Sequence, residues 1–356
     1  MLRRHRFLRL ALLLPAVLIA LVAGAAPASA HSVGGSEAVN FSTRVLRVSP
    51  AVPGVVVRPV EAGARLELVN TSGRDIIVLG YDNEPYLRVG PGGVFENQSS
   101  PATYANRAAL GAPVPSTANA KAAPVWKKVA DGDRASWHDH RAHWMSADPP
   151  PAVQADPGQE RVINPSWSVP LRDGDTTITV TGDLRWVPGP SPAPWIVLAV
   201  VLGLAALVAG RLRSWPVLLA VLLGALLIVD IVHTAGSWSA LRVPVAEKAY
   251  GSLIGVAGWA VGAVAIWQFG RGRAESGLFY LIFSAGLITV IGGLSDVSTL
   301  SRSQLVSDLP EWLTRASVAV KLGLGLGLSV AGLLRLRAAP ETPAEPQPEA
   351  PAQPGT

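Results

Sequence analysis

Three of the chain's six histidines crowd into one run, Trp137-His138-Asp139-His140-Arg141-Ala142-His143-Trp144-Met145. A fourth, His31, follows Ala28-Ser29-Ala30, the small-residue pattern that signal peptidase cuts. Cleavage there makes His31 the first residue of the mature chain, and a terminal histidine offers one metal ion both its α-amine and its ring Nδ1. On a strand, a His-x-His pair points both rings to one face, because side chains alternate with period two. His31, His138 and His140 would then supply one amine and three imidazoles, a nitrogen-rich set that suits Cu(II). The amine binds only when deprotonated, and its free pKa is about 7.7–8.0, so affinity should rise with pH through that range.

His143 and Met145, the only methionine besides Met1, are reserve ligands. They share strand parity with each other but not with His138 and His140, so a bend after His140 is needed to bring His143 in. A His/Met pair would favour Cu(I) and allow a redox or transfer role. Asp139, between the two rings, could orient one of them as a hydrogen-bond acceptor behind the ligands. Copper is the expected metal and zinc its chief competitor, since imidazoles bind both. The plainer alternative is a solvated histidine loop with Trp137 and Trp144 packing a core or an edge.

The elements that must position these residues divide sharply. Residues 1–30 read as a signal peptide: Arg3, Arg4, Arg6 and Arg9, an apolar run from Leu8 to Val22, then the cleavage site. Removing those four arginines lowers the formal charge from +5 to +1, so the chain carries no basic footprint for nucleic acid. With no cysteine, disulfides, thiolate metal sites and thiol catalysis are excluded.

Residues 31–187 read as an exported β-sandwich of cupredoxin or immunoglobulin type, with short strands between Gly, Pro and Asn turns. Arg65–Asn70 alternates, Asp75–Leu79 is apolar, and Trp167–Leu171 and Thr176–Thr181 flank a hairpin turn at Arg172-Asp173-Gly174-Asp175, followed by a short strand at Leu184–Val187. Residues 97–124 read as a long loop. A Pro-rich linker, residues 188–194, leads to a transmembrane helical domain over 195–336, and the Pro/Glu/Ala-rich tail over 337–356 has nothing to bury.

Five apolar segments, at about 195–210, 215–234, 250–269, 277–295 and 316–335, are each near the length of a membrane span, the first being the shortest. The loop pairs Arg211/Arg213, Arg271/Arg273 and Arg335/Arg337 place one set of ends in the cytoplasm and the β domain outside the plasma membrane. Trp195, Trp215, Trp238, Trp267 and Trp312 fall near segment ends, as interfacial anchors do. Asp230 and His233 share a face near the outer end of the second segment. Asp296 ends the fourth, and Lys321 lies in the first turns of the fifth. Ionisable residues in spans usually face an interior, so these four outline a polar pocket below the β domain that could receive a metal ion or a proton; interfacial snorkelling with an Asp–Lys pair is the plainer reading.

Terminal His31 with His138-x-His140 resembles the copper brace of the particulate methane/ammonia monooxygenase B subunit, and the terminal histidine is similar to that of CopC-type copper carriers and lytic polysaccharide monooxygenases. The whole run resembles that of a group of actinobacterial membrane proteins with a WHDHRxHWM motif. This chain departs from the monooxygenase subunit in having five expected spans rather than two and no second soluble β domain after its helices. The resemblance therefore implies copper binding more than catalysis, and no catalytic residue is assigned.

Three functions follow. The first is a membrane-anchored copper-binding protein for acquisition, buffering or delivery, with the bilayer, copper and a membrane or extracytoplasmic copper-handling protein as partners. The second is a copper-dependent oxygenase or oxidase subunit. The third is a non-metal structural or sensory membrane protein. Hydrolytic motifs such as Gly-x-Ser-x-Gly and His-Glu-x-x-His are absent from the sequence.

Overall fold

A computed structural model describes residues 36–146 and 148–338. His31, the cleavage site and most of the C-terminal tail lie outside the described residues.

The N-terminal region is built on two antiparallel sheets. The larger runs in the order β1 (Phe41–Ser49), β10 (Thr176–Trp186), β9 (Arg161–Asp173), β4 (Ile76–Leu79), β5 (Pro85–Gly90), β6 (Gly93–Asn97), β7 (Trp126–Ala130). The smaller holds β2 (Val55–Val60), β3 (Arg65–Asn70) and β8 (Arg134–Trp137). Period-two alternation decides which side chains go inward. Leu66 and Leu68 of β3, Trp167, Val169 and Leu171 of β9, and Ile178 and Val180 of β10 are all buried in one apolar cluster fed by both sheets. The β9–β10 hairpin turns at Gly174, whose φ of 57° meets the need for a left-handed residue at the first turn position. Residues 97–124 are mostly irregular but contain a one-turn helix, α1 (Pro101–Ala105), capped by the Ser100 side chain; a second, α2 (Pro151–Ala155), precedes β9.

Five apolar helices follow. α3 (Ala193–Ala209) is the shortest, and its start absorbs the last residues of the expected linker. Four further helical stretches are long and apolar enough to cross a membrane: α4 (Trp215–Ala240), α5 (Val245–Gly270), α6 (Ala274–Leu287) continued by a π-helical segment to Leu294, and α7 (Glu311–Ala338). Their outward faces carry exposed apolar side chains such as Val217, Val221, Ile228, Leu253 and Leu326, as helices bathed in lipid require. α3 packs on α7 through small residues. A Cβ on Gly323 would lie 2.3 Å from the Ala199 carbonyl oxygen, and one on Gly327 2.6 Å from that of Gly203, so these glycines permit backbone-to-backbone approach. α7 begins earlier than the apolar pattern suggested, which puts Lys321 about three turns into the helix rather than in its first turns.

The two regions are fastened at one end of the helices. Val39 and Gln304 exchange backbone hydrogen bonds of 3.0 and 2.9 Å. Just after α4, Arg242 donates its Nε to Glu67 of β3 at 2.8 Å, and its backbone N–H bonds to the Glu61 carboxylate. At the opposite end of α4, Arg335 donates to the carbonyl oxygens of Gly210 and Leu212.

Candidate metal centre and intramembrane polar site

The strand premise for the histidine run does not hold: β8 stops at Trp137, and His138 to His143 form a loop and turn. The physical cause is Asp139. Its carboxylate accepts from Trp137 Nε1 at 2.9 Å, from the Arg141 backbone N–H at 3.1 Å, and from Arg141 Nε and a terminal guanidinium nitrogen at 2.8 Å each. An acceptor that gathers side chains two residues before and after it curls the backbone, in competition with the sheet ladder. The turn closes with Ala142 N–H donating to the Asp139 carbonyl at 2.9 Å. It is stitched to β1 by Thr43 Oγ1 donating to the Ala142 carbonyl at 2.8 Å.

This curl places the His143 ring beside each of the other two. The His138 and His143 ring centroids are 6.3 Å apart and those of His140 and His143 are 5.5 Å apart, both edge-on. The chain leaves the strand already at His138 rather than after His140, and the turn over residues 140–142 sets His143 beside both other rings. Met145 lies two residues beyond and is exposed. Asp139 plays a different part from the one expected: its carboxylate holds Trp137 and Arg141, while its backbone carbonyl faces His143 Nδ1 at 2.9 Å.

Backbone carbonyls fix the rings. His138 Nδ1 donates to the Ala64 carbonyl at 2.8 Å, leaving Nε2 with the lone pair. His140 Nε2 faces the Ala108 carbonyl at 3.2 Å, leaving Nδ1 with the lone pair. His143 meets carbonyls on both sides, with Nε2 2.5 Å from Ala109 O. A neutral imidazole donates only once, so one of these contacts is open to exchange. Burial, helped by Arg65, pushes the His138 pKa down to about 4, and burial also lowers that of His143. His138 is therefore a neutral imidazole at physiological pH, the form that ligates metals. Tyr81 closes one flank: its ring stacks on His140 at 5.8 Å, and its hydroxyl accepts from the His140 N–H and donates to Asn106 Oδ1. Burial and the nearby Asp139 push the Tyr81 phenol up to about 12, so it stays protonated.

The turn that presents the Ala64 carbonyl is strained. Glu61 and Ala62 have φ of 53° and 56°, a region that non-glycine residues rarely adopt. Glu61 is buried and gathers Ser36 Oγ at 2.5 Å, Arg65 Nε at 3.0 Å and the Arg242 backbone N–H. The start of the described chain, the turn holding His138 and the end of α4 thus meet at one carboxylate. Among the described residues, no group of three or more His, Cys, Asp or Glu side chains stands in preformed metal-ligand geometry.

Comparison with protein-family models, curated proteins and solved structures gives no match. The site must therefore be read from its own geometry.

The four intramembrane residues do come together. Lys321 Nζ lies 2.9 Å from Asp296 Oδ2 and 3.7 Å from Asp230 Oδ1. His233 Nε2 lies 3.0 Å from Asp296 Oδ2. Sequence reasoning missed Trp259, whose Nε1 donates to Asp230 Oδ2 at 2.7 Å. A signal existed: Trp259 sits mid-segment, away from the ends where interfacial tryptophans gather, and a buried indole N–H needs an acceptor. The cluster borders an open-sided cavity of about 490 Å³ lined by α4, α5, the end of α6 with the π-helical segment, α7, residues 305–306 and residues 36–38.

Proposed function

We propose that the chain is a membrane-anchored, extracytoplasmic copper-binding protein for copper acquisition, buffering or delivery. The observation that carries this reading is the convergence of His138, His140 and His143. With metal–nitrogen bonds of about 2.0 Å, two imidazoles sharing one ion have centroids roughly 5–6 Å apart; His140 and His143, at 5.5 Å, fall within that span, and His138 and His143, at 6.3 Å, need a small approach. The carbonyls of Ala64 and Ala108 act as ring-orienting acceptors of the kind that stands behind metal-bound histidines. The lone pairs of His138 Nε2 and His140 Nδ1 are the first ligands, and His143 joins by giving up one carbonyl. His31 is the further ligand: the described chain starts five residues later, at Ser36, bonded to the same Glu61 turn whose Ala64 carbonyl holds His138. Met145 is a reserve thioether. Imidazole with thioether and amine favours copper over zinc.

In this reading the two sheets form a β-sandwich outside the plasma membrane, and α3 is a fifth, tilted or partial span packed on α7. The arginines at the far end of the bundle face the cytoplasm. A copper-handling partner would meet the exposed side of the histidine turn, where Met145 lies.

The test is a Cu(II) and Zn(II) titration of the purified full chain, with the N-terminus defined by mass spectrometry. One copper per chain, bound more tightly than zinc and lost in a His138→Gln/His143→Gln variant, supports the proposal. A second reading, in which the histidines only lock the turn, is favoured by the two carbonyls that face His143. It is the reading to adopt if copper binding is absent or survives the double substitution.

A further inference from the structure

One nitrogen in the intramembrane site has no partner. His233 is buried, and its Nδ1 makes no hydrogen bond among the described residues. Its Nε2 faces a carboxylate oxygen of Asp296. A carboxylate only accepts, so Nε2 carries the hydrogen and Nδ1 carries a free lone pair. His233 is one of the residues lining the cavity of about 490 Å³, with Nδ1 itself buried.

The charges around that cavity do not cancel. On its own helix, α4, His233 is accompanied by Asp230. α5 contributes Lys248, α7 contributes Lys321, the segment after the π-helix contributes Asp296, and the N-terminal segment contributes Glu37. Lys248 is held by the Trp238 and Leu241 carbonyls at the C-terminus of α4, a favourable place for a cation. Glu37 is exposed and Lys248 is tied to helix-end carbonyls, so within the cluster Asp230 and Asp296 share the one ammonium of Lys321, and with His233 neutral one negative charge stays uncompensated between membrane helices, where it is costly. A single proton on Nδ1 removes that imbalance, turning His233 into an imidazolium already bonded to Asp296.

We propose that this cavity is a reversible proton-binding site, with His233 Nδ1 as the acceptor and Asp296 as the carboxylate that steadies the imidazolium. The side chain of Asp296 is 35% exposed, against 7%, 6% and 1% for His233, Asp230 and Lys321, so the cluster opens to solvent at Asp296. The site sits against the π-helical segment Ile288–Leu294, and such segments recur at functional sites. There Gly292 lets the backbone pass close over the ion pair; a Cβ would lie 3.0 Å from Asp230 Oδ1 and 3.4 Å from Lys321 Nζ. A hard monovalent cation suits the site less well, because its one free donor is an imidazole nitrogen and the carboxylates already face N–H groups.

The experiment is nitrogen NMR of the full chain in lipid nanodiscs, with labelled histidine and a chelator present, titrated from about pH 9 to about pH 5. His233→Gln assigns the resonance. The expected result is that Nδ1 passes from the lone-pair to the protonated form within that range, and that Asp230→Asn, which removes the excess negative charge, weakens proton affinity by about tenfold. A ring that keeps one protonation state throughout overturns the proposal. So does a signal that is indifferent to pH but, in a separate chelator-free sample, responds to one equivalent of zinc. The wild-type titration decides by itself if Asp230→Asn does not fold, and because it is run without metal it stands apart from the copper reading.

Discussion

In the turn after β8, one buried and two half-buried imidazoles are held by backbone carbonyls of Ala64, Ala108, Ala109 and Asp139, and burial keeps His138 neutral. In the helical bundle, His233, Lys321, Asp230 and Asp296 are held by one another. The difference shows how surroundings sort polar groups. A β turn has spare carbonyls to orient neutral rings and leave lone pairs for a metal. Helices satisfy their own carbonyls, so an ionisable side chain between them must find another side chain, and charge balance becomes the governing quantity.

That contrast can be broken most forcefully at Lys321. Lys321→Met leaves the buried Asp230 and the partly exposed Asp296 without their shared cation; breaking a fully buried pair costs about 3–5 kcal/mol, and the exposure of Asp296 brings the loss towards the lower end. Thermal unfolding in detergent should show a large loss, largely restored when Asp296→Asn is added. No restoration would mean that Lys321 acts by packing alone.

The histidine turn should instead respond to pH. The unfolded His138 ring takes up a proton near 6.5 and the folded one only near 4. The unfolded state therefore binds more protons between those values, and stability present above pH 6.5 is lost progressively as pH falls to about 4, by about 3 kcal/mol in all. Denaturant titrations of wild type and His138→Gln should diverge over this window; parallel curves would show that the ring is not buried neutral.

A smaller effect is expected where the helices meet. Gly327→Val forces a side chain against the Gly203 backbone, and overpacking costs about 1–3 kcal/mol. It should loosen α3 from α7, read as faster proteolysis near Arg211, while copper binding is unchanged. The smallest effect is expected at the junction. Burial pushes the Glu67 carboxyl up, but Arg58 and Arg242 outweigh it and the net shift is downward. Its contribution is present above the ordinary carboxylate range and lost as pH falls through the lowered value. Arg242→Ala should weaken docking of the sheet on the helices by about 1–2 kcal/mol, seen as increased hydrogen exchange in β3.

Much of this architecture was legible in the chain. The alternation of Arg65–Asn70 and of Thr176–Thr181 marks strands, and the five apolar segments fall on five apolar helices, four of them long enough to cross a membrane. Asp230 and His233, three residues apart, announced a shared face, and the structure joins them to Asp296 and Lys321. The His138–His143 turn was not legible, because a strand pattern says nothing of an aspartate that bonds Trp137 and Arg141 and ends the ladder. The carbonyls that orient the rings carry no sequence signature at all, and neither does the π-helical segment that admits Gly292 beside the ion pair.

The central claim is that the rings of one turn share a copper ion. Pulsed EPR of the full chain loaded with one equivalent of Cu(II), compared with His138→Gln and His143→Gln, tests it most directly. Nitrogen couplings from several imidazoles in the wild type, reduced in each variant, are the result expected. A spectrum without imidazole nitrogen, or one unchanged by both substitutions, would contradict it.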